Sequence, residues 1–326
     1  MKLFRRALYY RRIFAAYLGK GVSQLTFWHE VPEVNPNVRV GELGEYYMPF
    51  ISKAEYRGIF DGVGIPMLDY RGAIGPQYNP IAIAQYGLGN YNLWVRNREP
   101  ANREKFLRIA DWLLENLVPN QAGIAVWMHH FDWEYRDTLR SPWYSGLAQG
   151  QGISVLVRAY RETLNDAYLE AAQRALESFK VDVRSGGVAF RDEQKDLWFE
   201  EYVVDPPTHI LNGFIWAAWG LYDFFLTTND ESAKQLFTSA VMTLRRRLRD
   251  FDVGFWSLYE QSGKKLPMLA SPFYHALHIV QLRVMHKITL EPEFQEFAER
   301  WHAYTLAPLK RNRALVQKIL FKLCYY

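Results

Sequence analysis

The sequence predicts a mainly α protein: an incomplete α/α toroid (α/α-barrel) of paired antiparallel helices, with short β-hairpin excursions lining a cleft. Three observations predict it. Segments with apolar residues at helical spacing recur along the chain, about seven or eight in all, and fall into consecutive pairs. Each pair is preceded by an aromatic or Gly/Pro-rich stretch that breaks the helical pattern. With 49% hydrophobic and 16% aromatic residues in 326, the chain has ample material for a large core. Strong internal repeats are absent.

Three linear regions follow. Residues 1–74 read as a basic helix and a mixed loop and strand region, 75–306 as the α/α domain, and 307–326 as a basic tail. At the start, MKLFRRALYYRRIFAAYLGKG reads as a basic amphipathic helix, because the Ile13–Leu18 apolar run is too short for a signal-peptide core. The tail, with Lys310, Arg311, Arg313, Lys318 and Lys322, reads the same way. Solvated faces are the default for both. Peripheral contact with an anionic membrane is the alternative. No segment reads as membrane-spanning, so the expected location is cytoplasmic.

Residues 20–75 are rich in turn formers and suggest short strands such as Val38–Val40. Asn79-Pro80 starts a helix with Ile81, Ala84, Gln85 and Leu88 at helical spacing. Asn102–Leu117 is an amphipathic helix, and the aromatic run Ala125–Tyr135 a hairpin. A metal at His129-His130 is discounted, since adjacent strand residues point to opposite faces. In Ser141–Tyr160, Gly146, Gly150 and Gly152 cost helix propensity and imply close approach of another helix or a ligand. Arg158 reads as structural. Asp166–Phe179 pairs with that helix, and Val183–Phe190 is a turn and strand.

Next comes WFEEYVVDPPTHILNGFIWAAWGLYDF, Trp198–Phe224. Glu200, Glu201 and Tyr202 precede a turn with Pro206 and Pro207, and a buried helix follows over Thr208–Leu226. Titratable groups thus reach the mouth of a helix, where the dipole favours negative charge. Asp230–Arg249 is the partner helix, Phe251–Tyr259 an aromatic loop or strand. A last pair covers Phe273–His286 and Glu291–Tyr304. The net charge of +4 argues weakly for an anionic partner and gives no case for nucleic acid, and the sole cysteine, Cys324, excludes an intrachain disulfide.

Several of these stretches resemble the D-glucuronyl C5-epimerases. The resemblance rests on GPQ followed by the Tyr78–Leu88 run, WYS with AQGQGIS and LVRAY over Trp143–Tyr160, and EEY with LNGF and GLYD over Glu200–Asp223. YHxxHIxQL over Tyr274–Leu282 completes it. It spans roughly Gly75 to Gln281 and implies an α/α catalytic domain over 75–306. The implied enzyme is an isomerase that turns D-glucuronic into L-iduronic residues within an acidic polysaccharide such as heparosan or another glycosaminoglycan. Such chemistry needs no cofactor. A homodimer is a further expectation.

Carried over by motif, Glu201, Tyr202 and Tyr274 are the proton-transfer candidates. Gln77, Tyr78, Gln85, Tyr86, Tyr144, Gln149, Asn212, Tyr259, His275 and His278 are the candidate substrate contacts. The family's YDLR run is replaced here by Trp256–Glu260, WSLYE, without an arginine. The cation for the sugar carboxylate is then expected from Arg71 or Arg191. Two rivals stand beside this reading: a uronic-acid polysaccharide lyase, which begins with the same proton abstraction, and a non-catalytic acidic-glycan binder.

Overall fold

A computed structural model describes residues 31–70, 74–135, 138–263 and 265–325. It is mainly α, with ten α-helices among the described residues and a few small antiparallel sheets. The expected basic helix at the N-terminus and Arg71 lie outside the described residues. The chain divides into two compact units that do not follow linear boundaries. Among the described residues, one holds those within 35–209 and 213–244, the other 31–34, 210–212 and those within 245–325.

In the larger unit a short helix, α1 (Ile51–Ala54), precedes two complete hairpins. These are α2 (Pro80–Asn97) with α3 (Pro100–Glu115), and α4 (Gly146–Thr163) with α5 (Asp166–Leu176). A third hairpin joins α6 (Leu211–Thr228), whose first two residues belong to the other unit, to α7 (Glu231–Arg247). The smaller unit holds α8 (Pro272–Thr289) with α9 (Pro292–Leu306), and then α10 (Pro308–Tyr325).

The four hairpins share a frame that the residue letters conceal. α2, α4, α6 and α8 are each 18 residues long. Each ends in a left-handed residue, Arg98, Leu164, Asn229 or Leu290, with φ between 55° and 60°. One further residue follows, and the partner helix begins with Pro, Asp or Glu. The left-handed residue ends the helix and reverses the chain. Most of α2 and α4 is buried, whereas α3, α5, α7 and α9 bury one stripe each. Within the larger unit, inner helices meet backbone to backbone: a Cβ on Gly220 would lie 2.5 Å from Gly150 Cα. The glycines of α4 serve close approach, as expected, Gly150 to α6 and Gly152 to the Trp127 ring.

Between the hairpins lie the excursions. β1 (Ile59–Phe60), β2 (Pro66–Asp69) and β3 (Pro76–Gln77) form one sheet in that order. β4 (Leu117–Pro119), β5 (Ala125–His129) and β8 (Trp143–Tyr144) form a second, with Met128 opposite Tyr144. β6 (Trp133–Glu134) pairs with β7 (Thr138–Leu139), and β9 (Ala189–Arg191) with β10 (Leu197–Phe199).

Two expectations need correction. Val38–Val40 is not a strand; the segment is a turn-rich coil. Asn35 Nδ2 donates to Glu45 Oε2 at 2.9 Å and Arg96 Nε to the same oxygen at 2.7 Å, so a long-range polar network holds it. The helix expected from Thr208 starts at Leu211, because His209 occupies the left-handed region (φ 50°). Arg158 is structural as expected: it is buried, with Nη1 2.6 Å from Asp223 Oδ2, while Tyr47 Oη donates to Asp223 Oδ1.

Candidate active site

The Glu-Glu-Tyr triplet leaves β10 and turns toward α6 in the larger unit. Glu200 is fully buried. Its Oε1 lies 2.6 Å from His209 Nδ1, and its Oε2 accepts the backbone N–H groups of Thr208 (3.3 Å) and His209 (3.1 Å). One carboxylate therefore ties down the whole turn and holds His209 in its left-handed conformation. The imidazole lies on the Trp198 ring, centroids 4.3 Å apart and 17° from parallel.

Glu201 lies on the first turn of α6. A Cβ on Gly213 would come within 2.6 Å of Glu201 Cβ and closer still to its Oε2. Only glycine leaves room for this carboxylate, in the field of a helix N-terminus that favours negative charge. Tyr202 points into an aromatic cluster of Tyr70, Phe131, Trp133, Tyr135 and Trp143. Its ring centroid is 4.6 Å from that of Tyr135 and 5.6 Å from that of Trp143. Tyr135 Oη donates to Thr208 Oγ1 at 3.1 Å, which joins the cluster to the same turn. A carboxylate and a phenol on consecutive residues beside aromatic faces suit proton transfer at a sugar ring.

In the smaller unit Ser271 caps α8, its Oγ accepting the Tyr274 N–H at 3.3 Å. The half-buried Tyr274 meets Tyr259 edge-on, centroids 4.9 Å apart. The Tyr259 carbonyl accepts the Leu211 N–H at 3.2 Å, and Gln281 Nε2 donates to the Asn212 carbonyl at 2.9 Å. The buried Asn212 is thus fixed at both ends of its peptide neighbourhood. His275 is fully buried, with Nδ1 2.7 Å from Ser257 Oγ and Nε2 3.1 Å from the Trp301 carbonyl. His278 Nδ1 lies 3.0 Å from the same serine hydroxyl. Burial takes His275 down to about 3 and His278 also well below the usual imidazole range. Both are neutral rings of the core here.

The remaining candidates are scattered. Gln149 is fully engaged: its Oε1 accepts Trp127 N–H, and its Nε2 donates to Ala125 and Ala175 carbonyls and Ser178 Oγ. Gln85 Nε2 donates to Gln151 Oε1 at 3.1 Å, and both glutamines are buried. Gln77 Nε2 donates to the Ile74 carbonyl, and the exposed Tyr78 donates to Asp61 Oδ2. Tyr86 is buried edge-on to Phe60. Tyr144 is half-buried, and burial raises its phenol. Arg191 is exposed at the end of β9. His129 is a packing residue stacked on Trp143, its pKa lowered to about 3 by burial. The Glu200–His209 pair is a feature that sequence reasoning missed. Eight residues separate the two across an irregular turn, so no helix or strand period signals it.

Three comparisons bear on identity. The family described as D-glucuronyl C5-epimerase C-terminus matches residues 121–303. The chain is similar to the D-glucuronyl C5-epimerase of Caenorhabditis elegans, 32% identical over 226 residues, covering 64% of this chain and 36% of that protein. It therefore spans about a third of the nematode enzyme. An uncharacterised protein of Methanocaldococcus jannaschii is 26% identical over 222 residues, covering 64% of this chain and 70% of that one. Among solved structures, cellobiose 2-epimerase from Bacillus thermoamylovorans is similar in fold, with a TM-score of 0.54 at 14% identity, over 78% of this chain and 67% of that chain. No described helix is long and apolar enough to cross a membrane. The matched residues run from the β4–β5 turn to the end of α9 and include the Glu-Glu-Tyr turn and the Tyr274 helix. The chain belongs to the D-glucuronyl C5-epimerase C-terminus family.

Proposed function

We propose that the protein inverts C5 of D-glucuronic residues, giving L-iduronic residues, in an acidic polysaccharide. The observation that carries the reading is the seat of Glu201 on Gly213 beside Tyr202, within the stretch matched to the family. A base removes the C5 proton. The electron pair moves into the C6 carboxylate as an enediolate, and a second group returns a proton to the opposite face. Glu201 or Tyr202 serves one face, and Tyr274 serves the other by its place in the YHxxH motif. Hydrogen-bond donors and cations around the carboxylate hold the developing charge; Arg191 and Arg71 are the candidate cations, with Asn212 holding the sugar or its loop.

The polymer is a polyanion, so binding should weaken as salt rises. The deciding experiment is NMR of a glucuronic-acid polymer incubated with the protein in heavy water. Deuterium at C5 with iduronic signals supports the proposal. Unsaturated chain ends mean a lyase, and binding without either signal means a glycan-binding protein.

A further inference from the structure

The last helix, α10, presents two different faces. Its inner side is anchored: Ala314, Leu315 and Phe321 are buried, and Lys318 Nζ donates to the Leu269 carbonyl at 2.5 Å. On its outer side Leu309, Val316, Leu320 and Leu323 are 85%, 56%, 48% and 61% exposed. At about 100° per residue these four fall within an arc of about 60°, and at about 1.5 Å per residue they form a stripe about 21 Å long. Single exposed leucines are ordinary, but an aligned stripe of four is not. The helix also carries Lys310, Arg311, Arg313, Lys318 and Lys322, with no acidic residue. Arg313 sits over the Phe255 ring at 4.1 Å and Lys310 Nζ donates to the Gly254 carbonyl at 2.9 Å.

We propose that α10 is an interfacial helix that lays the Leu309–Leu323 stripe on an anionic lipid surface. The apolar side chains of the stripe would enter the boundary between headgroups and acyl chains, and Lys310 and Arg313 beside it would remain at headgroup level. Charge selects this occupant. A second copy docking through the same stripe would bring Arg313 and Lys310 of each helix toward their counterparts with no acid on the helix to offset them, whereas an acidic headgroup layer attracts both. Holding the enzyme at a membrane would suit a polymer made or exported there, but the inference does not depend on the reaction.

The test is co-sedimentation of the full chain with vesicles of phosphatidylcholine alone and of phosphatidylcholine mixed with phosphatidylglycerol. Binding to the anionic vesicles should be at least about tenfold stronger and should fall with salt. The double variant Val316→Asp/Leu320→Asp should fall to the level of neutral vesicles. Both positions are exposed, so its unfolding midpoint should not change. Equal binding of the unmodified chain to both vesicle types overturns the proposal. So does anionic binding retained by the double variant, which would assign it to another segment. A concentration-dependent dimer that the double variant abolishes would instead show that a second copy covers the stripe.

Discussion

Two glycines on α6 should separate catalysis from packing. In Gly213→Ala the new methyl would stand 2.6 Å from Glu201 Cβ. Carbon atoms rest about 3.5–4 Å apart, so Glu201 must retreat by about 1 Å. A misplacement of about 1 Å at a reacting group can cost about a hundredfold in rate. Stability should hardly change, because alanine favours a helix over glycine by about 0.5–1 kcal/mol and offsets part of the crowding. In Gly220→Ala the methyl meets the Gly150 backbone, 2.5 Å from its Cα and 2.7 Å from its carbonyl carbon. Backbone cannot swing aside as a side chain can, so this overpacking should cost about 1–3 kcal/mol. C5 deuterium exchange on a glucuronic polymer gives the rates, and thermal unfolding gives the stabilities. The expected pattern is an inactive, stable Gly213→Ala beside a less stable Gly220→Ala that retains activity while folded. If Gly213→Ala epimerises at the unmodified rate, the seat of Glu201 is irrelevant to chemistry and the assignment of its carboxylate fails.

Three further outcomes are expected. His129 and His275 have pKa values lowered to about 3 and His278 is lowered as well, so below about pH 6.5 the unfolded chain binds protons that the folded chain refuses. Stability should therefore fall as pH drops from 7 to 5, by up to about 2 kcal/mol per histidine, and a flat unfolding midpoint over that range would contradict the burial of these rings. Arg158→Met leaves the buried Asp223 carboxylate without its cation and should cost about 3–5 kcal/mol in urea unfolding; a loss below about 1 kcal/mol would mean the pair is dispensable. Tyr202→Phe and Tyr274→Phe should each reduce net inversion by about a hundredfold or more while leaving deuterium exchange into opposite epimers, and near-normal inversion in both would move the proton carriers elsewhere.

Helical periodicity made the hairpins legible because it is a local signal. Asn79 before Pro80 and Ser271 before Pro272 cap their helices with side-chain oxygens, as such residues do. The start of α6 was not legible. Pro206-Pro207 points to a helix from Thr208, but Glu200 captures two backbone N–H groups and the His209 ring, and a left-handed residue intervenes. The helix-ending residues Arg98, Leu164 and Leu290 escaped notice for a related reason. Glycine or asparagine is the usual choice there, and three side chains with no such preference are held in place by the packed helices on either side. At the candidate site, the motif residues stand out one by one. Whether Gln149 reaches a sugar or braces β5 depends on partners 22 to 29 positions away, which spacing along the chain does not encode.

The hairpin frame explains why the motifs fall where they do. At one end of every hairpin the connection is two residues, Arg98-Glu99, Leu164-Asn165, Asn229-Asp230 or Leu290-Glu291. At the other end the chain is long and irregular, over 116–145, 177–210 and 248–271. Loops carried on a rigid scaffold tolerate change that the scaffold does not, so functional residues are expected at that second end. The motif residues obey this rule. Tyr78 and Tyr144 each stand two positions before an 18-residue helix, and His209 occupies the same place before α6. Gln85 and Gln151 each stand five positions after the start, while Asn212 and Tyr274 lie in the first turn. The nominated residues of α2, α4 and α8, and Asn212 of α6, thus lie in the last three loop residues or the first two turns of their helix, whereas Glu201, Tyr202 and Tyr259 stand farther back in the preceding loops. The late start of α6 is part of this logic: the turn that Glu200 holds is what sets Glu201 against Gly213.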